Sequence, residues 1–177
     1  MKDDPSAEEK TGGQLPDDTG RLALTQVRAL IAECRTLVLS TCERQTPWAA
    51  PVYYVYHAPG FYFFSSPRSR HIQEGLNAPV TSAALFSDSP RWEDIQGIQM
   101  QGVLQEVTRL KEQAAAVSRF LMKFPFARPF LQGGRQQSSE VPMLGDKVRL
   151  YRFVPKEIQY TNNRIGFGRR IAVNLEK

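Results

Sequence analysis

Two histidines and two cysteines are all that this chain of 177 residues offers a transition metal. His57, His71, Cys34 and Cys42 do not fall at metal-ligand spacings, and no carboxylate cluster surrounds them, so no metal site is expected. The cysteines are expected to be reduced and structural, as in a cytoplasmic protein. No apolar run approaches membrane-spanning length, and the N-terminus is acidic and polar, unlike a signal peptide. No glycine-rich loop joins a strand to a helix, which sets aside the P-loop and the dinucleotide fingerprint. There is no Gly-x-Ser-x-Gly elbow and no evident Ser/His/Asp set. Glu93 and Asp94 read as solvated loop acids, and the sequence has no internal repeat. An enzyme so poor in acid–base groups would draw its chemistry from a bound cofactor.

What is present is a soluble-type composition, 41% hydrophobic and 23% charged, at a length that suits one domain. The net charge of +5 is uneven. Residues 1–20 hold two lysines and six acids, with almost no large apolar group, and read as a disordered acidic tail. Residues 21–177 then form a single domain carrying +9. A basic body points to an anionic partner, either a phosphorylated cofactor or a nucleic acid. Against nucleic acid, the aromatic residues sit within apolar strands instead of alternating with Lys and Arg on an open face.

Ala23, Val27, Leu30, Ile31 and Cys34 recur at helical spacing and predict an amphipathic helix over residues 21–35. Strands are expected at Thr36–Cys42, Trp48–His57 and Phe61–Ser65, the last two joined as a hairpin through Ala58-Pro59-Gly60. The second strand has no polar face: Val52, Tyr54 and Tyr56 point one way, Tyr53 and Val55 the other. Both faces should therefore be covered, one by a core and the other by a ligand or a second subunit. Further strands are expected at Pro79–Ser87, Gln96–Val107, Val148–Val154 and Glu157–Thr161, with a helix at residues 110–123 and a long polar loop at Gln132–Lys147. About seven strands joined mostly by hairpins, with few helices, predict a mainly β, α+β fold: a small antiparallel β-barrel with flanking helices.

The most informative stretch is Phe63-Phe64-Ser65-Ser66-Pro67-Arg68-Ser69-Arg70-His71. An aromatic strand stops and turns into a helix, with Ser66 suited to the N-cap, Pro67 to the first helical position and Gly75 to the helix end. Hydroxyls, guanidinium groups and an imidazole beside free helical N–H groups make a phosphate site, although the same residues would also serve an ordinary capped surface helix.

The order Thr-Leu-Val-Leu-Ser-Thr, Trp-Ala-Ala-Pro-Val-Tyr-Tyr, Phe-Tyr-Phe-Phe-Ser-Ser-Pro-Arg-Ser-Arg-His resembles the FMN-binding split-barrel superfamily, typified by pyridoxamine 5′-phosphate oxidase. Gly97-Ile98-Gln99-Met100-Gln101-Gly102 and the closing Tyr160-Thr161-Asn162-Asn163-Arg164-Ile165-Gly166-Phe167-Gly168-Arg169-Arg170 resemble its YhbP-type branch. The resemblance covers residues 22–172. It implies a flavin-dependent oxidoreductase of unspecified substrate, or a flavin carrier or sensor, working as a homodimer with FMN at the interface. It puts Ser65, Ser66, Ser69, Arg70 and His71 on the FMN phosphate, with His71 standing where the family has lysine. Ala50, Pro51, Val52 and Tyr53 fall along the isoalloxazine ring, and Gln99 and Gln101 within its hydrogen-bonding reach. The oxidase's Arg-Gln pair before the long strand is here Gln96-Gly97, and its C-terminal Arg-x-His pattern has no copy, so oxidation of pyridoxamine phosphate is not expected. Trp92 is a candidate ring cover. Arg169 and Arg170 are candidates to reach the site, and Arg135 is a lid candidate.

Overall fold

The structure, a computed structural model, describes residues 17–131 and 148–176. Most of the acidic tail and the whole 132–147 loop, with Arg135, lie outside them. Seven strands run β1 (Thr36–Glu43), β2 (Thr46–His57), β3 (Gly60–Ser65), β4 (Thr81–Phe86), β5 (Gln96–Glu106), β6 (Arg149–Asn162) and β7 (Arg170–Ala172). The helices are α1 (Asp17–Glu33), α2 (Arg70–Asn77), α3 (Leu110–Lys123) and α4 (Arg128–Leu131). All strand pairs are antiparallel, in the order β3-β2-β1-β4-β5-β6-β7. An additional β3–β6 pairing joins the first six strands into a closed barrel. This is the split-barrel architecture expected from the sequence.

The two C-terminal strands expected from the sequence are one. Strand β6 pairs with β3 through its first half and with β7 through its last residues, while β5 follows it along both. The break read at Pro155-Lys156 is a bulge: Gln101 pairs with Glu157 and Gly102 with Pro155, leaving Lys156 unmatched. Gly102 permits it, because a Cβ there would lie 2.2 Å from the Val154 carbonyl oxygen.

The barrel interior holds one apolar core. Ala23, Val27, Leu30 and Ile31 of α1 pack there, so the helical spacing read from the sequence marks the buried face; the helix starts four residues earlier than expected. Tyr54 donates its hydroxyl to the Ile31 carbonyl at 2.7 Å, and Lys123 donates to the Cys34 carbonyl at 2.6 Å, closing the end of α1. A second core lies outside the barrel, where Ala116, Phe120 and Phe124 of the α3 region cover Val55, Tyr62 and Leu150.

Strand β2 thus has both faces covered in part, but at Val55 the cover is α3 of the same chain. Tyr53 remains half exposed (48%), its ring edge-on to Phe124 and Phe126. Strands β2 and β3 are paired only from Tyr54–His57 to Gly60–Phe63. Before Tyr54, β2 is held by β1 alone, and its other edge is open. Pro47 and Pro51 lie in this open half while its pairing with β1 runs without a break, so their nitrogens, which have no hydrogen to donate, occupy the open side.

Candidate functional site

The site forms where β3 leaves β2. Extending the β2–β3 register would bring Ser65 opposite Val52, but the pairing has already stopped. Ser65 instead ends β3 opposite Arg149 of β6. Residues 66–69 form a turn, with the Ser69 N–H on the Ser66 carbonyl at 3.0 Å. The expected helix start is therefore corrected. Ser69, not Ser66, is the N-cap, in an extended conformation with its carbonyl accepting from the N–H groups of Ile72 and Gln73. Pro67 sits in the turn, where its fixed φ is equally suited. Gly75 lies inside α2 rather than at its end. It is buried so tightly that a Cβ would meet Leu104 Cδ2 at 2.7 Å.

This turn brings three side chains together. Ser65 Oγ is 2.9 Å from Ser69 Oγ and 2.9 Å from His71 Nε2. Ser69 donates its own proton to the Ser66 carbonyl at 2.5 Å. A hydroxyl has one proton, so the Ser65–Ser69 bond must use that of Ser65. The Ser65 oxygen then accepts from His71, which assigns the imidazole proton to Nε2. Burial pushes the His71 pKa down from its ordinary value, favouring this neutral ring. The N–H groups of Arg70 and His71 precede the first bond of α2 and have no helical carbonyl to meet. Tyr151, the next residue inward on the same face as Arg149, is buried and its hydroxyl has no partner among the described residues. Hydroxyls, an imidazole N–H and backbone N–H groups, with no carboxylate among them, fit a phosphate monoester.

Arg70 is not in this cluster. Its Nε donates to Glu74 Oε1 at 2.5 Å, its Nη2 to the Thr46 carbonyl at 3.3 Å, and its guanidinium lies 4.8 Å from the Trp48 ring centroid. Glu74 is buried and also accepts the Thr41 hydroxyl at 2.5 Å. The Thr41 and Arg70 hydrogen bonds hold its carboxyl below the usual range. Arg70 and Glu74 line an open cleft of about 700 Å³ between α2 and the β1–β2 turn. Arg44 and Gln45 make that turn with positive φ, 48° and 64°. Thr41, Trp48 and Glu74 did not figure among the sequence candidates. Of this set only the i,i+4 spacing of Arg70 and Glu74 was visible in the chain. Ser66 stays in the turn, its hydroxyl oxygen accepting from the Arg68 N–H at 3.2 Å.

The residues assigned to the flavin ring divide by strand parity. Ala50 and Val52 are buried. Pro51 and Tyr53 are exposed on the outer face, in a row that runs Pro51, Val38, Ala84, Gln99, Gln159 across five strands. Ala49, Ser40, Ser82 and Gln101 form the adjoining row. Gln99 and Gln101 therefore share one small-residue surface with Pro51, and a shallow cavity of about 340 Å³ opens there. Arg170 donates to Gln99 at 3.2 Å and so reaches this face. Trp92 is exposed and packs edge-on to Phe167, with centroids 5.6 Å apart. Its loop is tied to the closing segment by Asn163, which donates to the Trp92 carbonyl, and by Arg164, which pairs with Asp94. No cluster of three His, Cys, Asp or Glu suited to a metal occurs among the described residues.

A closed antiparallel barrel of six strands, extended by β7 and flanked by helices, is the split-barrel architecture. The chain matches the pyridoxamine 5'-phosphate oxidase family over residues 23–162 and belongs to it. It is similar to the UPF0306 protein YhbP of Salmonella arizonae, 29% identical over 154 residues, 84% of this chain and 90% of the relative. This likeness places it with the YhbP-type branch. A heme binding protein from Mycobacterium smegmatis superposes with a TM-score of 0.67 at 18% identity, covering 87% of this chain; the chain spans only 58% of that protein's length. An FAD-binding protein from Mesorhizobium loti superposes with a TM-score of 0.57 at 15% identity, covering 76% of this chain and 90% of that one. At these identities the likeness to solved structures is one of fold.

Proposed function

We propose that the protein binds FMN as a homodimer and acts as a flavin-dependent oxidoreductase. The observation that carries this reading is the Ser65–Ser69–His71 cluster at the open gap beside β2. Its donors suit the phosphate. Rotation of the Ser65 and Ser69 hydroxyls away from Ser69 Oγ and the Ser66 carbonyl would turn both protons outward, and the Nε2 proton of His71 would supply a third bond. The unpaired edge of β2 at Ala50–Tyr53 offers main-chain groups to a polar ring edge. Gln99 and Gln101 offer amides from the outer face, and a second copy laid on that face would exclude water from it. Bound FMN would supply the electron transfer, for which no side chain here substitutes. The FAD-binding relative in fold is consistent with a flavin, while the heme binding one makes heme the competing ligand.

A second reading, a flavin carrier or sensor without turnover, uses the same site. It is favoured by the poverty of the sequence in side-chain acid–base groups that could assist turnover.

The deciding experiment is the visible spectrum of the purified protein, before and after addition of FMN, with hemin added in parallel. FMN uptake with quenched flavin fluorescence is expected. Protein that stays colourless with FMN and takes up hemin instead would overturn the reading. Reduction of the bound flavin by a nicotinamide cofactor would separate the oxidoreductase from the carrier.

A further inference from the structure

The cluster of Ser65, Ser69 and His71 has no fixed positive charge, although a phosphate monoester carries close to two negative charges at neutral pH. Three arginines border it: Arg149, opposite Ser65 on β6 and paired with Glu106; Arg68, in the turn; and Arg70, which lies between Ser69 and His71 in sequence and opens α2. Its guanidinium is directed down the helix to Glu74, one turn away. Glu74 is an unusual residue to find there. It is 7% exposed, in the stretch of α2 that plugs the barrel beside Gly75, and the Thr41 hydroxyl holds its second oxygen from β1. Its carboxylate is therefore a fixed anion. Arg70 is less constrained: its side chain is 40% exposed, Nε alone contacts Glu74 rather than a two-nitrogen fork, and its other holds are a 3.3 Å bond to the Thr46 carbonyl and the face of the exposed Trp48 ring.

We propose, resting on the flavin-phosphate reading, that Glu74 is a resident counter-anion that holds Arg70 away from the cluster, so that an incoming phosphate monoester must win the guanidinium from it. Glu74 is then a positioning residue acting through Arg70. A phosphate brings more charge and more acceptors than a single carboxylate, which favours transfer of Arg70. Leaving Glu74 buried with Thr41 alone opposes transfer, because a buried carboxylate loses its cation. The balance sets the affinity for phosphorylated ligand and leaves the affinity for the same ligand without its phosphate untouched.

The test is the dissociation constants of FMN and riboflavin, by flavin fluorescence quenching, for the wild type, Glu74→Gln, Arg70→Gln and the double variant. Glu74→Gln keeps the shape and an acceptor for Thr41 while removing the charge. It is expected to bind FMN about three- to tenfold more tightly, with riboflavin unchanged. In the Arg70→Gln background the gain should vanish. General loosening of the fold would weaken both ligands and could not produce a phosphate-specific gain. If Glu74→Gln does not fold, Glu74→Met fills the same space and serves in its place. FMN binding by the wild type that Glu74→Gln leaves equal or weaker overturns this proposal alone. So does an equal gain for riboflavin, or a gain that persists without Arg70. Failure of both wild type and Glu74→Gln to bind FMN overturns the phosphate reading together with it.

Discussion

His71 and Arg70 are adjacent in sequence but face different partners, Ser65 and Glu74. Burial lowers the His71 pKa from its ordinary value, which favours the neutral ring. A bound phosphate would favour the imidazolium and raise that pKa again, so binding takes up a proton. The sign follows: the His71 contribution to phosphate affinity is complete below the free-state pKa, which lies under the ordinary 6.5, and is lost as pH rises through the bound-state value. Relative to His71→Gln, wild-type affinity for FMN should therefore grow as the pH is lowered from 8 to about 5.5. His71→Lys should bind more tightly at pH 8 and show less of this dependence. Isothermal titration in two buffers of different ionisation enthalpy measures the proton uptake directly. Glu74 has the opposite sign in stability. Its carboxyl is held below the usual range by Thr41 and Arg70, so its contribution is present above the ordinary carboxylate pKa and is lost as pH falls through the lower folded value. The acid limb of the melting curve should flatten in Glu74→Gln.

At the scale of elements, β6 carries the largest mechanical load, since it closes the barrel against β3 and extends it through β7. Gly102 sits at the changeover, with the Val154 carbonyl and Pro155 Cα inside any Cβ placed there. These are backbone atoms and cannot rotate aside. Gly102→Ala should cost about 2 kcal/mol or more, read as a lower urea midpoint at unchanged slope. The bulge also explains where sequence pattern failed. Pro155-Lys156 looks like the end of one strand and the start of another, because a bulged strand loses its alternation at the extra residue. Strand β7 is three residues long, too short to show a period. Strand β5 was legible because its alternation runs unbroken; of helix α3 only the span was legible, since Ala116 and Phe120 are its buried residues while Leu110, which would begin an apolar stripe, is 80% exposed. The start of α2 was misread because Ser66-Pro67 and Ser69-Arg70 both satisfy local capping rules; a tertiary contact, the Ser65–Ser69–His71 cluster, decides between them.

For the whole molecule, the acids counted in the +9 are partly placed against arginines. Arg91 and Arg164 share Asp94, Arg149 pairs with Glu106, Arg152 with Glu112 and Arg70 with Glu74. These pairs fix where part of the charge sits but leave the net of +9 unchanged, so the argument against a nucleic-acid partner rests on the placement of the aromatic residues. No described helix is long and apolar enough to cross a membrane. The outer sheet face carries small side chains at Ala49, Ser40, Ser82 and Ala84, in register across strands, a surface that a second copy could approach closely. Ala84→Arg sets a long cation in its middle. In sedimentation the wild type is expected at twice the chain mass and Ala84→Arg at the chain mass, with flavin uptake reduced. An unchanged mass for the variant would move the interface elsewhere.

The open side of β2 has one more consequence. A strand edge left without a neighbour is ordinarily a template on which further chains can polymerise. Here Pro47 and Pro51 interrupt its row of donors. The gap is in this way capped against fibre growth, so the rim can stay bare without seeding aggregation.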